Sequence, residues 1–210
     1  MKPLQAEDGI IWVERSESTN SELRRHIDSL DNLSVIAAME QTAGRGQGDH
    51  SWFSSPRTNL TFSLLLRFGP GAPVQLKTSE ALLVTCITTL AVRDYLLERG
   101  IESRIKWPND IWVGERKICG VLIENASIDG QLRTSIVGIG LNVNQTEWPD
   151  DLPNPVSMRQ LSGEEFRLDD ELAALAGHLR SRYAEAASEE GRLALKEEFE
   201  KYVFRLPSKP

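Results

Sequence analysis

Residues 105–125 read IKWPNDIWVGERKICGVLIEN, and the fold class can be argued outward from them. A proline cannot donate to a sheet ladder, so the strand that runs into Lys106 and Trp107 must end or bulge at Pro108. The polar stretch GERK (114–117) separates two apolar runs and predicts a hairpin. A second hairpin is expected around SIDGQ (127–131), followed by a last strand IVGIGLNVN (136–144). Hairpins in series, rather than regular strand–helix–strand alternation, predict an α/β (α+β-like) fold built on a mixed sheet.

The flanking segments supply the remaining layers. A short strand is expected at Ile10 to Val13, and a second at SVIAAME (34–40). Between them a polar helix carries Leu23, Ile27 and Leu30, with Ser18, Thr19 and Asn20 as capping candidates. NLTFSLLLR (59–67) alternates, placing Leu60, Phe62, Leu64 and Leu66 on one face and Thr61 and Ser63 on the other. The longest helix is expected around Gln75 to Arg99, with Leu83, Ile87, Leu90 and Leu97 on its apolar face and Gly100 as its stop. Beyond residue 157 the chain reads as charged helices up to about 205. The expectation is a single domain over 1–210 with its motif-bearing core at 10–145.

Composition narrows the function classes. The chain has 210 residues, 40% hydrophobic and 26% charged, with no apolar run approaching the ~20 residues of a membrane span. Its N-terminus has no apolar signal core, so secretion is not expected. The net charge of −7 argues against a nucleic-acid binder, so any nucleotide has to be held by local basic residues. Cys86 and Cys119 each sit inside an apolar run and read as buried thiols of a reducing cytoplasm. The three histidines, His26, His50 and His178, form no zinc-type cluster.

Three stretches carry chemistry. In KWPND (106–110), a cation, an aromatic, an amide and a carboxylate fall within five residues. That is either a strand-ending turn with a surface ion pair or a site for a magnesium nucleotide, because Mg²⁺ takes oxygen ligands and shares them with phosphates. In VGIGLNVN (137–144), alternation puts Val137, Ile139, Leu141 and Val143 in the core and Gly138, Gly140, Asn142 and Asn144 on the other face. Two glycines on one face predict something lying flat against the sheet. In QTAGRGQGDHSW (41–52), Gly44, Gly46 and Gly48 let backbone N–H groups turn towards an anion, and Arg45 can hold a phosphate or carboxylate in bidentate fashion.

ESTN (17–20), EQTAGRG (40–46), KWPND (106–110), RKICGVLIE (116–124) and GIGLNVN (138–144), in this order across residues 10–145, resemble the biotin protein ligases. The resemblance implies a fold related to class II aminoacyl-tRNA synthetases, a mixed sheet with helices packed on one side. It implies ATP-dependent activation of biotin to biotinyl-5′-AMP with release of pyrophosphate. Transfer to one lysine of a biotin carboxyl carrier protein, of acetyl-CoA carboxylase or a related carboxylase, would follow. Biotin would be bound by Ser18, Thr19, Gln41, Gly44, Arg45, Gln47, Lys117, Gly120, Leu122 and Gly138. ATP would meet Lys106, Trp107, Asn109, Asp110 and Asn142. Lys117, Arg45 and Asp110 would be catalytic, and Mg²⁺ would be held mainly by the phosphates with Asp110 as its protein ligand.

Further expectations follow from the same likeness. There is no room before Ile10 for a DNA-binding domain, and KYVFRLPSKP stops where relatives continue into an SH3-like domain. No DNA or membrane partner is expected, and the protein is taken as a cytoplasmic monomer or homodimer. Two rivals remain: a lipoate ligase or octanoyl transferase of the same fold, whose transferases employ a cysteine, and a biotin-binding module without turnover. Gln47 stands where many relatives carry arginine, and Gly48 and Asp49 depart further. Fewer cations and an added carboxylate predict a weaker hold on the adenylate.

Overall fold

The computed structural model describes residues 9–205, so the two ends of the expected 1–210 domain lie outside the described residues. Among them eight strands form one mixed sheet in the order β1-β2-β3-β7-β6-β5-β4-β8. The strands are β1 (Ile10–Ser16), β2 (Val35–Gln41), β3 (Leu60–Arg67), β4 (Arg104–Lys106), β5 (Asp110–Val113), β6 (Arg116–Ile128), β7 (Gln131–Leu141) and β8 (Val203–Phe204). Pairs β1–β2 and β4–β8 are parallel; the other pairs are antiparallel. Both hairpins fall where their turn residues predict, with Gly114 and Gly130 at positive φ, where a side chain would be strained.

The helices are α1 (Thr19–Arg25), α2 (Leu82–Glu98), α3 (Met158–Ser162), α4 (Leu168–Glu185) and α5 (Glu189–Tyr202). The two faces of the sheet are covered differently, and this decides where a site can form. On one face, β3 presents Leu60, Phe62, Leu64 and Leu66, and β7 presents Val137, Ile139 and Leu141, to α2, α4 and α5. Helix α2 is buried almost all round, between the sheet and the two C-terminal helices, and Gly100 ends it at φ +73°. Asp169, Asp170 and Glu171 open α4, where carboxylates complement the helix dipole. Leu97 departs from the expected apolar stripe and is 47% exposed. Near its end α2 turns Val92, Tyr95 and Leu96 inward instead, which leaves Leu97 outside.

The expectation of helices on one side holds for the long helices and is corrected for α1. It docks on the opposite face, where Leu23 packs with Ile11, Ile36, Leu65 and Ile136. Burying a leucine of this kind contributes about 1.5–3 kcal/mol, enough to hold a seven-residue helix that could not persist alone. Ser18 sits at the N-cap without a side-chain capping bond. The first side chains of α1 are committed elsewhere, to the open remainder of this face.

Candidate active site

The part of that face left uncovered by α1 is a cavity of about 450 Å³. Its walls are the start of α1, the loop after β2, the β4–β5 turn and segment 153–154; its floor is β6 and β7. At the α1 end, the Thr19 N–H donates to Gln41 Oε1 at 3.0 Å, and its hydroxyl lies 3.3 Å from the same oxygen. The Ser63 hydroxyl sits 2.8 Å from Thr19 Oγ1 and 2.6 Å from Asn20 Oδ1. Asn20 Nδ2 in turn donates to Glu124 at 2.8 Å. This end is polar and already connected, with Ser18, Thr19 and Gln41 presented to the cavity.

Each glycine of the floor has a side chain lying on it. A Cβ on Gly138 would fall on the Asn20 amide, and one on Gly140 would fall on the Trp52 indole. A Cβ on Gly120 would come within 2.8 Å of Trp52 Cζ3 and 3.2 Å of Lys117 Nζ. The expected flat contact against the glycine face therefore exists, and over Gly140 and Gly120 it is made by Trp52. The indole Nε1 is buried there without a hydrogen-bond partner among the described residues.

Lys117 reaches this floor through a β-bulge. Pairing runs Asp110↔Gly120 and Ile111↔Cys119, then shifts so that Trp112 faces Lys117. Ile118 and Cys119 are both buried in the helix-side core. Without the extra residue, strict alternation from Gly120 would send Lys117 into that core; the bulge returns it to the cavity. Its ammonium is 2.7 Å from Asp110 Oδ1, while Lys106 Nζ is 3.9 Å from Oδ2. Lys117 also lies 5.5 Å from the centre of the Trp52 ring. Its backbone is pinned: Lys117 N–H donates to Asn154 O at 2.9 Å, and Val156 N–H donates to Lys117 O at 3.0 Å.

Asp110 is the only carboxylate on the described wall, against Arg45, Lys106 and Lys117. The cavity thus collects cations within a chain of net charge −7, the arrangement an anionic ligand requires. Asn109 ties the β4–β5 turn to β6 by donating to Val121 O, and Trp107 stands on the rim at 36% exposure. No group of three or more metal-ligating side chains occurs among the described residues. A single carboxylate fits an ion carried chiefly by phosphate oxygens and not an all-protein metal cage.

The loop after β2 folds as a small hairpin. Gly46 N–H donates to His50 O at 2.6 Å, Trp52 N–H donates to Gly44 O at 2.9 Å, and Arg45 faces Ser51. Gly48 takes φ +63° at the tip, so its departure from the familiar motif serves a tight turn. Asp49 is exposed there and does not line the cavity. Arg45 lines the cavity but leans on Glu124, at 3.5 Å, and on Ser21, at 3.4 Å.

The structure gathers Ser18, Thr19, Gln41, Arg45, Gln47, Lys106, Trp107, Asn109, Asp110, Lys117, Gly120, Leu122 and Gly138 around one cavity. Two expected members stand outside it. Gly44 packs against the Trp52 carbonyl, where a Cβ would come within 2.7 Å of the Gln41 amide. Asn142 is 2% exposed beneath the floor, donating to Val156 O at 3.0 Å and to Lys117 O at 3.4 Å. Strand β7 ends at Leu141, so the alternation that put Asn142 on the cavity face no longer applies. Asn20, Trp52, Trp112 and Asn154 belong to the site and were not expected in it. The two adjacent apolar residues Ile118 and Cys119 were the sequence signal for the bulge.

Residues 12–142 match the biotin/lipoate A/B protein ligase family. The chain belongs to that family. It is 38% identical over 136 residues to the bifunctional ligase/repressor BirA of Bacillus subtilis, a match covering 63% of this chain and 40% of the relative. The biotin–[acetyl-CoA-carboxylase] ligase of Paracoccus denitrificans is 33% identical over 132 residues, 61% of this chain and 52% of that protein. The chain thus spans about two fifths to half of these curated relatives. A solved structure of a biotin protein ligase from Aquifex aeolicus in complex with biotin and ATP is similar at TM-score 0.75 and 27% identity. That match covers 93% of this chain and 78% of the other. No helix of the described residues is long and apolar enough to cross a membrane.

Proposed function

We propose that this member of the family is a biotin protein ligase. It joins biotin to AMP at the expense of ATP, then passes the biotinyl group to a lysine of a biotin carboxyl carrier protein. The observation that carries this is Lys117, turned onto the glycine floor by a bulge and placed between a connected polar end and a turn bearing Lys106, Asn109 and Asp110. The biotin ligase names of the relatives and the biotin–ATP complex of the Aquifex enzyme support it.

The ureido ring is assigned to Ser18, Thr19 and Gln41, since a buried polar ring needs paired donors and acceptors. The valeryl tail runs over Gly138, Gly120 and Leu122 in place of the Trp52 indole. Its carboxylate meets Lys117, beside the α-phosphate of an ATP held by Lys106, Trp107, Asn109 and Asp110. A carboxylate oxygen attacks the α-phosphorus, the bond to the bridging oxygen breaks, and pyrophosphate leaves. No enzyme nucleophile is needed; the protein positions the reactants and neutralises charge. Asp110 is the residue that would hold Mg²⁺ together with the ATP phosphates, and the ion would supply charge neutralisation for the leaving pyrophosphate. In the second step the neutral acceptor ε-amine attacks the carbonyl carbon, the bond from that carbon to the phosphate-bearing oxygen breaks, AMP leaves and the new amide nitrogen gives up a proton.

Cys119 speaks against a cysteine-dependent acyl transferase. Its side chain is fully buried on the helix side, and burial pushes the thiol up although Lys117 pulls the other way. A cytoplasmic setting is part of this reading, and the two free, buried cysteines are compatible with it. The test is pyrophosphate release and carrier labelling: both should need biotin and ATP together, and lipoate or octanoate should not replace biotin. Release with lipoate alone would favour the sister activity, and tight biotin binding without release would favour a binding module.

A further inference from the structure

We infer that Ser63 and Glu124, both off the cavity wall, are positioning residues that set the hydrogen-bond polarity of its polar end. They make the Thr19 hydroxyl an acceptor, so the site selects a ring that offers it an N–H; this rests on the ligase reading above. Ser63 lies on β3 directly opposite Gly138 and is fully buried where the start of α1 meets the sheet. The missing side chain at 138 makes room for the Asn20 amide, since a Cβ there would fall on Asn20 Oδ1. Asn20 thereby reaches both Ser63 and, across the floor, Glu124 on β6.

The donors and acceptors can be assigned one after another along this chain. A carboxylate only accepts, so the Asn20 atom 2.8 Å from Glu124 is the amide nitrogen. The amide oxygen then faces Ser63 at 2.6 Å, and an amide oxygen only accepts, so Ser63 gives it its single proton. The 2.8 Å contact between Ser63 and Thr19 is left for the Thr19 proton. The other neighbour of that hydroxyl, Gln41 Oε1 at 3.3 Å, is an acceptor too, because it takes the Thr19 N–H. Thr19 thus has no proton to give the cavity and offers it a lone pair. Gln41 is turned the opposite way, with its Nε2 as the amide end left to donate. A cyclic urea matches this pair, with an N–H for Thr19 and a carbonyl for Gln41; a dithiolane ring has no N–H to offer.

The experiment measures, by calorimetry on the full chain, the binding of biotin and of its two analogues in which one or the other ring N–H is replaced by oxygen. Wild type should bind at least one analogue about 10- to 100-fold more weakly than biotin, the cost of leaving a buried acceptor without a donor. Ser63→Ala frees the Thr19 proton from its shorter partner, and the remaining contact to Gln41 is beyond the usual O–H···O range of about 2.5–3.0 Å. The hydroxyl can then donate to the ring oxygen, and the ratio should fall to within about three-fold. Glu124→Gln can offer an N–H to Asn20 and reverse the chain, so it should lower the ratio in the same direction and serves if Ser63→Ala does not fold. A purely structural role would weaken all three ligands alike. An unchanged ratio in the folded variants, or equal binding of all three ligands by wild type, overturns the inference while leaving the ligase intact. No biotin binding by wild type overturns the ligase reading and this one with it.

Discussion

Lys117 and Asp110 meet at 2.7 Å above Gly120, on neighbouring strands whose register is broken between them by a bulge. The contact joins the glycine floor to the turn carrying Lys106 and Asn109, and holds the ammonium where two anions would have to be brought together. It also shows how a local irregularity in a ladder produces a functional direction. One extra residue moves a side chain from the core to the cavity.

Trp52 occupies the floor that the ligand tail is proposed to cross, so binding has to displace it. Adding biotin and ATP should shift the protein's tryptophan emission, and Trp52→Phe should abolish most of the shift. Gly140→Val fills the seat of the indole and should cut the biotin-induced rise in melting temperature to near zero, because ligand stabilisation follows affinity. An unchanged emission spectrum on saturation would mean that the indole stays on the glycines.

Asn142 offers a clean choice between touching ATP and positioning Lys117. Its amide bonds the carbonyls of Val156 and Lys117 beneath the floor. Asn142→Ala should lower kcat about ten-fold or more through a misplaced lysine, with KM for ATP within about two-fold of wild type. The stability cost should be about 1 kcal/mol, since neutral hydrogen bonds contribute that much and Asn142 Oδ1 is already unpartnered. A large rise in KM at constant kcat would put ATP on Asn142 directly.

The cysteines predict an alkaline response. Burial pushes Cys86 up to about 12 from 9.0 and moves Cys119 the same way. A thiol pKa raised by folding leaves stability intact below the unfolded value and removes it as pH rises above. Each thiol should therefore cost about 1.4 kcal/mol per pH unit above about pH 9 until its folded pKa is reached. Cys86→Ala should flatten that decline, as read by denaturant midpoints between pH 8.5 and 10. Neither cysteine should react with a thiol reagent at pH 8 in the folded protein; rapid labelling of Cys119 would place it on the cavity side after all.

The hairpins, the glycine face and the cluster at KWPND were legible because each depends on local chemistry: a proline without a donor, glycines at positive φ, strict alternation. What was not legible depends on register and on distant chain. Asn142 follows the alternation of β7 on paper, yet the strand stops one residue earlier and the side chain turns under the sheet. Trp52 was visible as the end of a loop, but only the fold brings its ring to Gly140. Strand β8 is two residues long and exists because β4 offers an edge, which no local pattern announces. Helix α1 reads like any amphipathic helix, and nothing in it names the face it docks on.

The central claim concerns Lys117 and what it acts on, and biotin-dependent release of pyrophosphate from ATP tests it most directly. Wild-type protein should release pyrophosphate only when biotin is present. Lys117→Ala should fall by about 10²–10³-fold, the loss of roughly 3–4 kcal/mol of charge stabilisation, while melting like the wild type, since its side chain is about one third exposed. Biotin-independent release by the wild type, or full activity in a folded Lys117→Ala protein, would contradict it.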